Sequence, residues 1–130
     1  MKRLLVFFIF ITFYSCTGKV DIDDLTGTWE LVKVVSDKDV KREKDNIYTL
    51  RFDMDGSVVL NLDVNECYSH YTLKDDNKII FGSFPCTRVC CDTDYADEFY
   101  NIVRTSTKVF LWLDILTLEG KEGKAVLKRK

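Results

Sequence analysis

A chain of 130 residues, 46% hydrophobic and 31% charged, is long enough for one real core and short for two domains. Its formal charge of −2, with no basic patch interleaved with aromatics, excludes the electrostatic footprint of a nucleic-acid binder. A single apolar stretch stands at the start, and none after it is long enough to span a bilayer as a helix.

Met1-Lys2-Arg3 gives a positive start, and Leu4 to Tyr14 is apolar apart from Thr12 and the Tyr14 phenol. This run of about 11 residues is well below the roughly 20 of a spanning helix, but it suits the hydrophobic region of a secretory leader. Residues 1–15 are therefore expected to be a signal peptide. Ser15-Cys16 resembles the end of a lipobox, with Phe13 where leucine is usual. Looser lipoboxes of this kind occur in the Bacteroidetes group, which the leader resembles. The resemblance implies cleavage after Ser15, a diacylglycerol on the Cys16 sulfur and acylation of the new amine. Two or more acyl chains hold a protein firmly on a membrane, where one holds it marginally. The expected setting is thus the bacterial cell envelope, at the outer membrane, with the bilayer as a partner through the lipid on Cys16. Without Lys2 and Arg3, 17 basic residues face 21 acids, a charge of −4.

Residues 16–24, with Asp21, Asp23 and Asp24, read as a polar tether that holds a domain of residues 25–130 off the membrane. Leu25 to Leu31 opens a first strand with Trp29 and Leu31 on one face. The dense charge of Ser36 to Asn46 predicts a solvated loop. Ile47 to Phe52 alternates, with Tyr48, Leu50 and Phe52 inward, and Asp53-Met54-Asp55-Gly56 is a turn with Gly56 free to take positive φ. Ser57 to Leu62 returns with Val58, Leu60 and Leu62 inward, completing a β-hairpin. Asp53 and Asp55 resemble the start of a calcium loop, but no later acids complete one, so turn chemistry is the expectation.

Tyr68 to Leu73 and Lys78 to Phe81 form a second hairpin around Asp75-Asp76-Asn77. A cysteine-rich loop with the sole proline, Pro85, follows. Asp92-Thr93-Asp94 can cap a helix whose Tyr95, Phe99, Ile102 and Val103 recur at helical spacing, laying Tyr95, Phe99 and Val103 on the sheet. Lys108 to Leu113 is apolar on both faces, Val109, Leu111 and Leu113 against Phe110 and Trp112, which predicts a central strand covered on both sides. Ile115 to Leu118, a turn over Glu119 to Gly123, and Lys124 to Lys128 end the chain. The expected fold is α+β: a curled or partly closed antiparallel sheet of about eight strands with one amphipathic helix.

Four cysteines follow Cys16: Cys67, Cys86, Cys90 and Cys91. Outside the cytoplasm they are expected to form at least one disulfide. Three pairings are open, and the sequence does not choose among them. Cys67-x-x-His70 has metal-ligand spacing, but adjacent Cys90 and Cys91 point apart on an extended chain, so no metal site is expected. His70 is the sole histidine and no motif with a catalytic mechanism is present, so neither an enzyme nor a cofactor is expected. Trp29, Tyr48, Phe52, Tyr68, Tyr71, Phe84 and Trp112 would line an apolar pocket if the sheet curls into a barrel with an open mouth.

Three stretches together resemble the META/HslJ-like domain of bacterial envelope lipoproteins. Leu25-Thr26-Gly27-Thr28-Trp29 is similar to the family's leucine-x-glycine-x-tryptophan start. Cys67 followed by Tyr71-Thr72-Leu73 is similar to its glycine-cysteine-asparagine stretch, with Glu66 and Tyr68 replacing the residues that flank the cysteine. Thr87-Arg88-Val89-Cys90-Cys91 before the helix is similar to its threonine-arginine-methionine-alanine-cysteine signature, and Leu116-Thr117-Leu118 with a glycine turn fits its ending. The resemblance implies a Cys67–Cys91 disulfide, leaving Cys86 to pair with Cys90. It also implies an envelope setting and a non-enzymatic structural or protein-interaction role, stress-related, with an envelope protein as partner. The glycine-x-tryptophan start and the hairpin are similar as well to the lipocalin-like domain of such lipoproteins, which would imply a small apolar ligand in a barrel mouth. That family accounts for neither the cysteine loop nor the helix.

Overall fold

A computed structural model describes residues 18–39 and 45–130. The leader, Cys16, Thr17 and the middle of the charged run lie outside the described residues. Eight strands follow one another up and down: β1 Gly27–Val35, β2 Thr49–Phe52, β3 Ser57–Asn61, β4 Glu66–Lys74, β5 Lys78–Phe81, β6 Ser106–Trp112, β7 Ile115–Gly120 and β8 Gly123–Arg129. Each pairs antiparallel with the next, and β8 pairs back onto β1, so the sheet closes into a barrel. Closure removes both sheet edges, which an open eight-strand sheet would have to protect. Among the described residues two α-helices complete the fold, α1 Ile22–Leu25 and the amphipathic α2 Asp94–Thr105 between β5 and β6, with a 3-10 turn at Asp75–Asn77.

Period-two alternation sends Trp29 and Leu31, Leu50 and Phe52, Val58 and Leu60, Leu116 and Leu118, and Ala125 and Leu127 into the interior. Tyr48, just ahead of β2, joins them. From α2, Tyr95, Phe99, Ile102 and Val103 pack into the same cluster. Tyr48 meets Tyr95 and Phe99 with ring centroids 5.7 and 6.2 Å apart, and Phe52 meets Tyr71 edge-on at 5.0 Å. The inside is thus filled by side chains, as small barrels allow.

Up-and-down winding gives the barrel two distinct ends. The β2–β3, β4–β5 and β6–β7 turns, α1 and the C terminus share one, here called the termini end. The loop after β1, the β3–β4 loop, the cysteine loop and the start of α2 share the other, the helix end. The expected turns occur where the sequence places them. Gly56 has φ +88°. Asp55 Oδ1 accepts from the Ser57 amide at 2.8 Å and its hydroxyl at 2.6 Å, so these aspartates do turn chemistry. Gly120 is required by contact: a Cβ there would collide with the Thr105 carbonyl and sit 2.9 Å from the Ser106 Cα.

Two expectations are corrected. The described part of the 16–24 tether, from Gly18 on, is not free: Val20 is buried, and Asn77 holds the segment by accepting from the Val20 amide at 2.9 Å and donating to the Gly18 carbonyl at 3.2 Å. Apolar residues interleaved with the aspartates allow this docking. The second concerns β6, whose two apolar faces suggested burial on both sides. Val109 is buried, but Phe110 is on the outer surface, and Trp112 and Leu113 are 77% and 76% exposed. Closing the barrel leaves only one face of each strand inside, and nothing among the described residues covers the other. Leu113 also leaves the strand, at φ +53°, to make the turn with Asp114.

Candidate functional site

The cysteine loop forms the helix end together with the β3–β4 loop. Residues around Cys86 run alongside the start of β4: the Tyr68 amide donates to the Pro85 carbonyl and the Thr87 amide to the Glu66 carbonyl, both at 3.0 Å. This frames Cys67 and Cys86 as directly opposed residues of a non-hydrogen-bonded pair, the close pairing of an antiparallel ladder. They share the inward face and are joined as a disulfide. The sulfurs of neighbouring Cys90 and Cys91 lie against each other. The Cys67–Cys91 and Cys86–Cys90 pairings implied by the family resemblance are therefore corrected. The reason is register: the backbone ladder puts Cys86, not Cys91, opposite Cys67.

Asn65 locks the far side of the loop. Its side-chain carbonyl accepts from the Val89 amide at 2.8 Å and the Thr87 hydroxyl at 2.9 Å. Its NH2 group donates to the Val89 carbonyl at 2.7 Å and to Asp92 Oδ2 at 2.6 Å. The amide's full complement of hydrogen bonds is used. Asp92 Oδ1 in turn accepts from the Val64 amide at 2.9 Å.

Asp63 is the hub. Oδ1 accepts from the Tyr48 hydroxyl at 2.7 Å and the Asn46 amide group at 2.6 Å. Oδ2 accepts from the Thr93 amide at 2.8 Å and hydroxyl at 2.7 Å. Partial burial pushes this carboxyl up, but the bonds from Thr93, Tyr48 and Asn46 together outweigh it and hold the carboxyl below its usual range. Burial moves the Tyr48 phenol the other way, upward. Thr93 is the N-cap of α2, its hydroxyl accepting from the Ala96 amide at 3.2 Å. Asp97, one turn in, is pushed up by burial and then by the charges of Asp92, Asp94 and Asp63. Further along α2, Glu98 is 97% buried; Oε2 pairs with Lys38 at 3.2 Å and Oε1 has no hydrogen-bond partner among the described residues.

These carboxylates hold loops and a helix start. Among the described residues no group of three or more His, Cys, Asp or Glu side chains is placed to hold a metal ion. His70 stands on the exposed face of β4, while Cys67 faces in, so their sequence spacing does not bring them together. Of the aromatics expected to line a pocket, Trp29, Tyr48, Phe52, Tyr71 and Phe84 are core residues, while Tyr68 and Trp112 are outside. Asp63 and Asn65 escaped the sequence reading; their signal is two loop-forming polar residues right after the inward Leu62.

At the termini end, the leucine-x-glycine-x-tryptophan stretch acts as a plug. The Trp29 indole N–H donates to the Leu25 carbonyl at 2.8 Å, and Gly27 between them has φ +133°. The Arg129 guanidinium lies 4.3 Å from the Trp29 ring centroid and donates to the Asp24 and Thr26 carbonyls at 2.7 and 3.1 Å. Along β6 and β7 is a hollow of about 330 Å³ whose lining includes Gly18, Asn77, Phe110, Leu111, Trp112 and Ile115.

Solved structures share this architecture at low identity. A protein of Burkholderia xenovorans solved by NMR is 18% identical, with a TM-score of 0.65 over 84% of this chain and 86% of its own. A DUF4847 family protein of Bacteroides vulgatus, solved by crystallography, is 13% identical, with a TM-score of 0.60 over 81% of this chain and 92% of its own. Another protein solved by NMR is 17% identical, with a TM-score of 0.66 over 85% and 96%. No curated protein matches the chain. The META domain family model matches residues 23–130, from α1 to the C terminus, and so takes in both the Trp29 plug and the cysteine loop: the chain belongs to the META domain family.

Proposed function

We propose that the protein is an outer-membrane lipoprotein, anchored through Cys16, whose META barrel serves as a non-enzymatic structural and protein-interaction module in envelope stress. The observation that carries this reading is the Cys67–Cys86 disulfide, in a chain whose start resembles a lipoprotein leader ending at Cys16. Disulfides persist outside the cytoplasm, where the leader would deliver the chain. The filled interior supports recognition by the outer surface over an apolar ligand in the barrel mouth. The carboxylates of the helix end are engaged with backbone and hydroxyl groups, which supports a structural role for them.

Intact-mass spectrometry of the protein taken from the native envelope tests the anchor. The expected product begins at Cys16 and carries the mass of a diacylglyceryl group and an amide-linked acyl chain. An unmodified Cys16, or a start elsewhere, overturns it. Native mass spectrometry of the same material tests the module: an envelope protein bound in fixed ratio is expected, and a co-purifying apolar small molecule would favour the lipocalin-like alternative.

A further inference from the structure

We propose that the β6–β7 tip is a bilayer-docking surface that seats the termini end of the barrel on the membrane. The inference rests on the lipoprotein reading above. Its first support is an apolar patch that the fold leaves uncovered. Trp112 and Ile115 are register partners across the hairpin, Phe110 lies two residues before Trp112 on the same outer face, and Leu113 caps the turn. Single exposed apolar residues are ordinary on a protein surface, but four in one continuous patch mark an interaction site. Tryptophan in particular favours the headgroup level of a bilayer, with its ring in the apolar layer and its N–H in the wet one.

The second support is where the chain emerges. Gly18 lines the hollow beside Phe110, Trp112 and Ile115, and Asn77 pins it there. Cys16 is only two residues upstream, so a lipid on its sulfur is tied within about 7 Å of Gly18 along the backbone. The bilayer holding that lipid must therefore meet this end of the barrel. A tether of that length cannot keep an exposed Trp112–Leu113 tip far from the lipid surface.

Charge is arranged to match. Lys128, exposed on β8, is the register partner of Ile115, and exposed Lys130 follows it. Asp114, in the turn itself, is paired with Arg129 at 3.4 Å. Lys19 stands on the other side, among Asp75 and Asp76, which line a neighbouring hollow with Phe110. Exposed Lys74 and Lys78 are register partners on either side of Asp75 and Asp76, so lysines stand on both sides of the tip. Anionic headgroups would meet them as the tip reaches the bilayer.

The two tryptophans make the test direct. Trp29 is fully buried in the barrel and Trp112 is exposed, so a quencher in the lipid reaches Trp112 first. The lipidated full-length mature protein is reconstituted into phosphatidylethanolamine–phosphatidylglycerol vesicles carrying brominated acyl chains. Loss of tryptophan emission is expected, removed by Trp112→Phe and weakened by Leu113→Asn, which keeps the reporter. Vesicle-bound, lipidated protein whose emission brominated lipid leaves unchanged overturns the docking surface and leaves the anchor standing. Trp112 shielded from aqueous iodide but not quenched by lipid would place a second copy or another protein on the tip, and also overturns it. An unlipidated Cys16 in the intact mass overturns both readings together.

Discussion

The two ends of the barrel are closed by different chemistry. At the helix end, polar groups knit three loops to the start of α2: Asp63 accepts four hydrogen bonds, Asn65 accepts two and donates two, and the Cys67–Cys86 bond fixes the strand beneath them. At the termini end, a buried Trp29 plug under Arg129 shuts the interior, and the β6–β7 tip is left apolar on the outside. A satisfied polar network specifies one geometry and presents little to bind. An uncovered apolar tip contributes nothing to folding in water and is what a partner would cover. Stability should therefore be sensitive to substitution at the helix end and indifferent to it at the tip.

The largest effect is expected from replacing Cys67 and Cys86 together by alanine. The bond closes a loop with a sequence separation of 19 residues, and loops of about that length are stabilised by about 3 kcal/mol. Denaturant unfolding of the oxidised protein and the double variant measures the difference. A loss well under 1 kcal/mol would mean that the Asn65 network alone positions the cysteine loop, and the proposed division of labour between bond and network would fail.

Asp63→Asn comes next. It puts an NH2 group where the carboxylate now accepts, either toward the Tyr48 hydroxyl and Asn46 or toward the Thr93 amide and hydroxyl. A loss of about 2 kcal/mol at neutral pH is expected, the scale of hydrogen bonds to a charged group. The sign of its pH dependence follows from the lowered carboxyl. A group held below its unfolded value stabilises the fold above about pH 4, and that contribution fades as pH falls through the folded value. The difference between wild type and Asp63→Asn should therefore shrink in acid. Asp97 has the opposite sign: its raised carboxyl opposes folding at neutral pH, so Asp97→Asn should stabilise there and lose its advantage as pH drops. Stability curves of both variants from pH 3 to 7 check the two signs against each other.

Much of this fold is legible in the chain because burial on one face writes a period of two. The Tyr48-Leu50-Phe52 and Val58-Leu60 alternations, the Gly56 turn and the Tyr95-Phe99-Val103 stripe all lie where that period and the helical one put them. What the period cannot write is what lies beyond the sheet. Phe110 and Trp112 carry the same pattern as a strand covered on both sides, and only closure of the barrel decides that their face is outside. The disulfide was illegible for a related reason. Cys86, Cys90 and Cys91 are close in sequence, and the choice among them depends on the ladder between residues 66–68 and 85–87, which no local pattern encodes. The Asp63 hub joins residues up to 45 positions apart through Tyr48 and Thr93, so its parts read separately as a core tyrosine, a loop acid and a helix cap.

Lys38→Met should have a smaller effect, about 1 kcal/mol. It strips the partner from Glu98 Oε2 while Oε1 already stands without one. Breaking a fully buried pair costs more, but the Lys38 side chain is itself more than half exposed. Glu98→Gln removes the buried charge and should be closer to neutral. If Lys38→Met and Glu98→Gln cost the same in thermal unfolding, the pair is not what holds the loop after β1 against α2.

The smallest stability change is expected at the tip, and its sign is the sharpest contrast between the two ends. Leu113 sits at φ +53°, a left-handed conformation that its side chain disfavours and asparagine tolerates. Its side chain is exposed, so little packing is lost on replacement. Leu113→Asn should accordingly stabilise the barrel by about 0.5 kcal/mol in denaturant unfolding, while reducing the lipid quenching of Trp112. A leucine in the left-handed region, in water, beside an exposed tryptophan is hard to explain by folding, because asparagine would suit that backbone better. Membrane contact supplies the missing reason: inserted into the bilayer, Leu113 transfers its side chain out of water, and the gain of about 2 kcal/mol for a leucine exceeds the strain. A variant that is more stable and docks unchanged would break that reasoning, for the strain would then have no compensating contact.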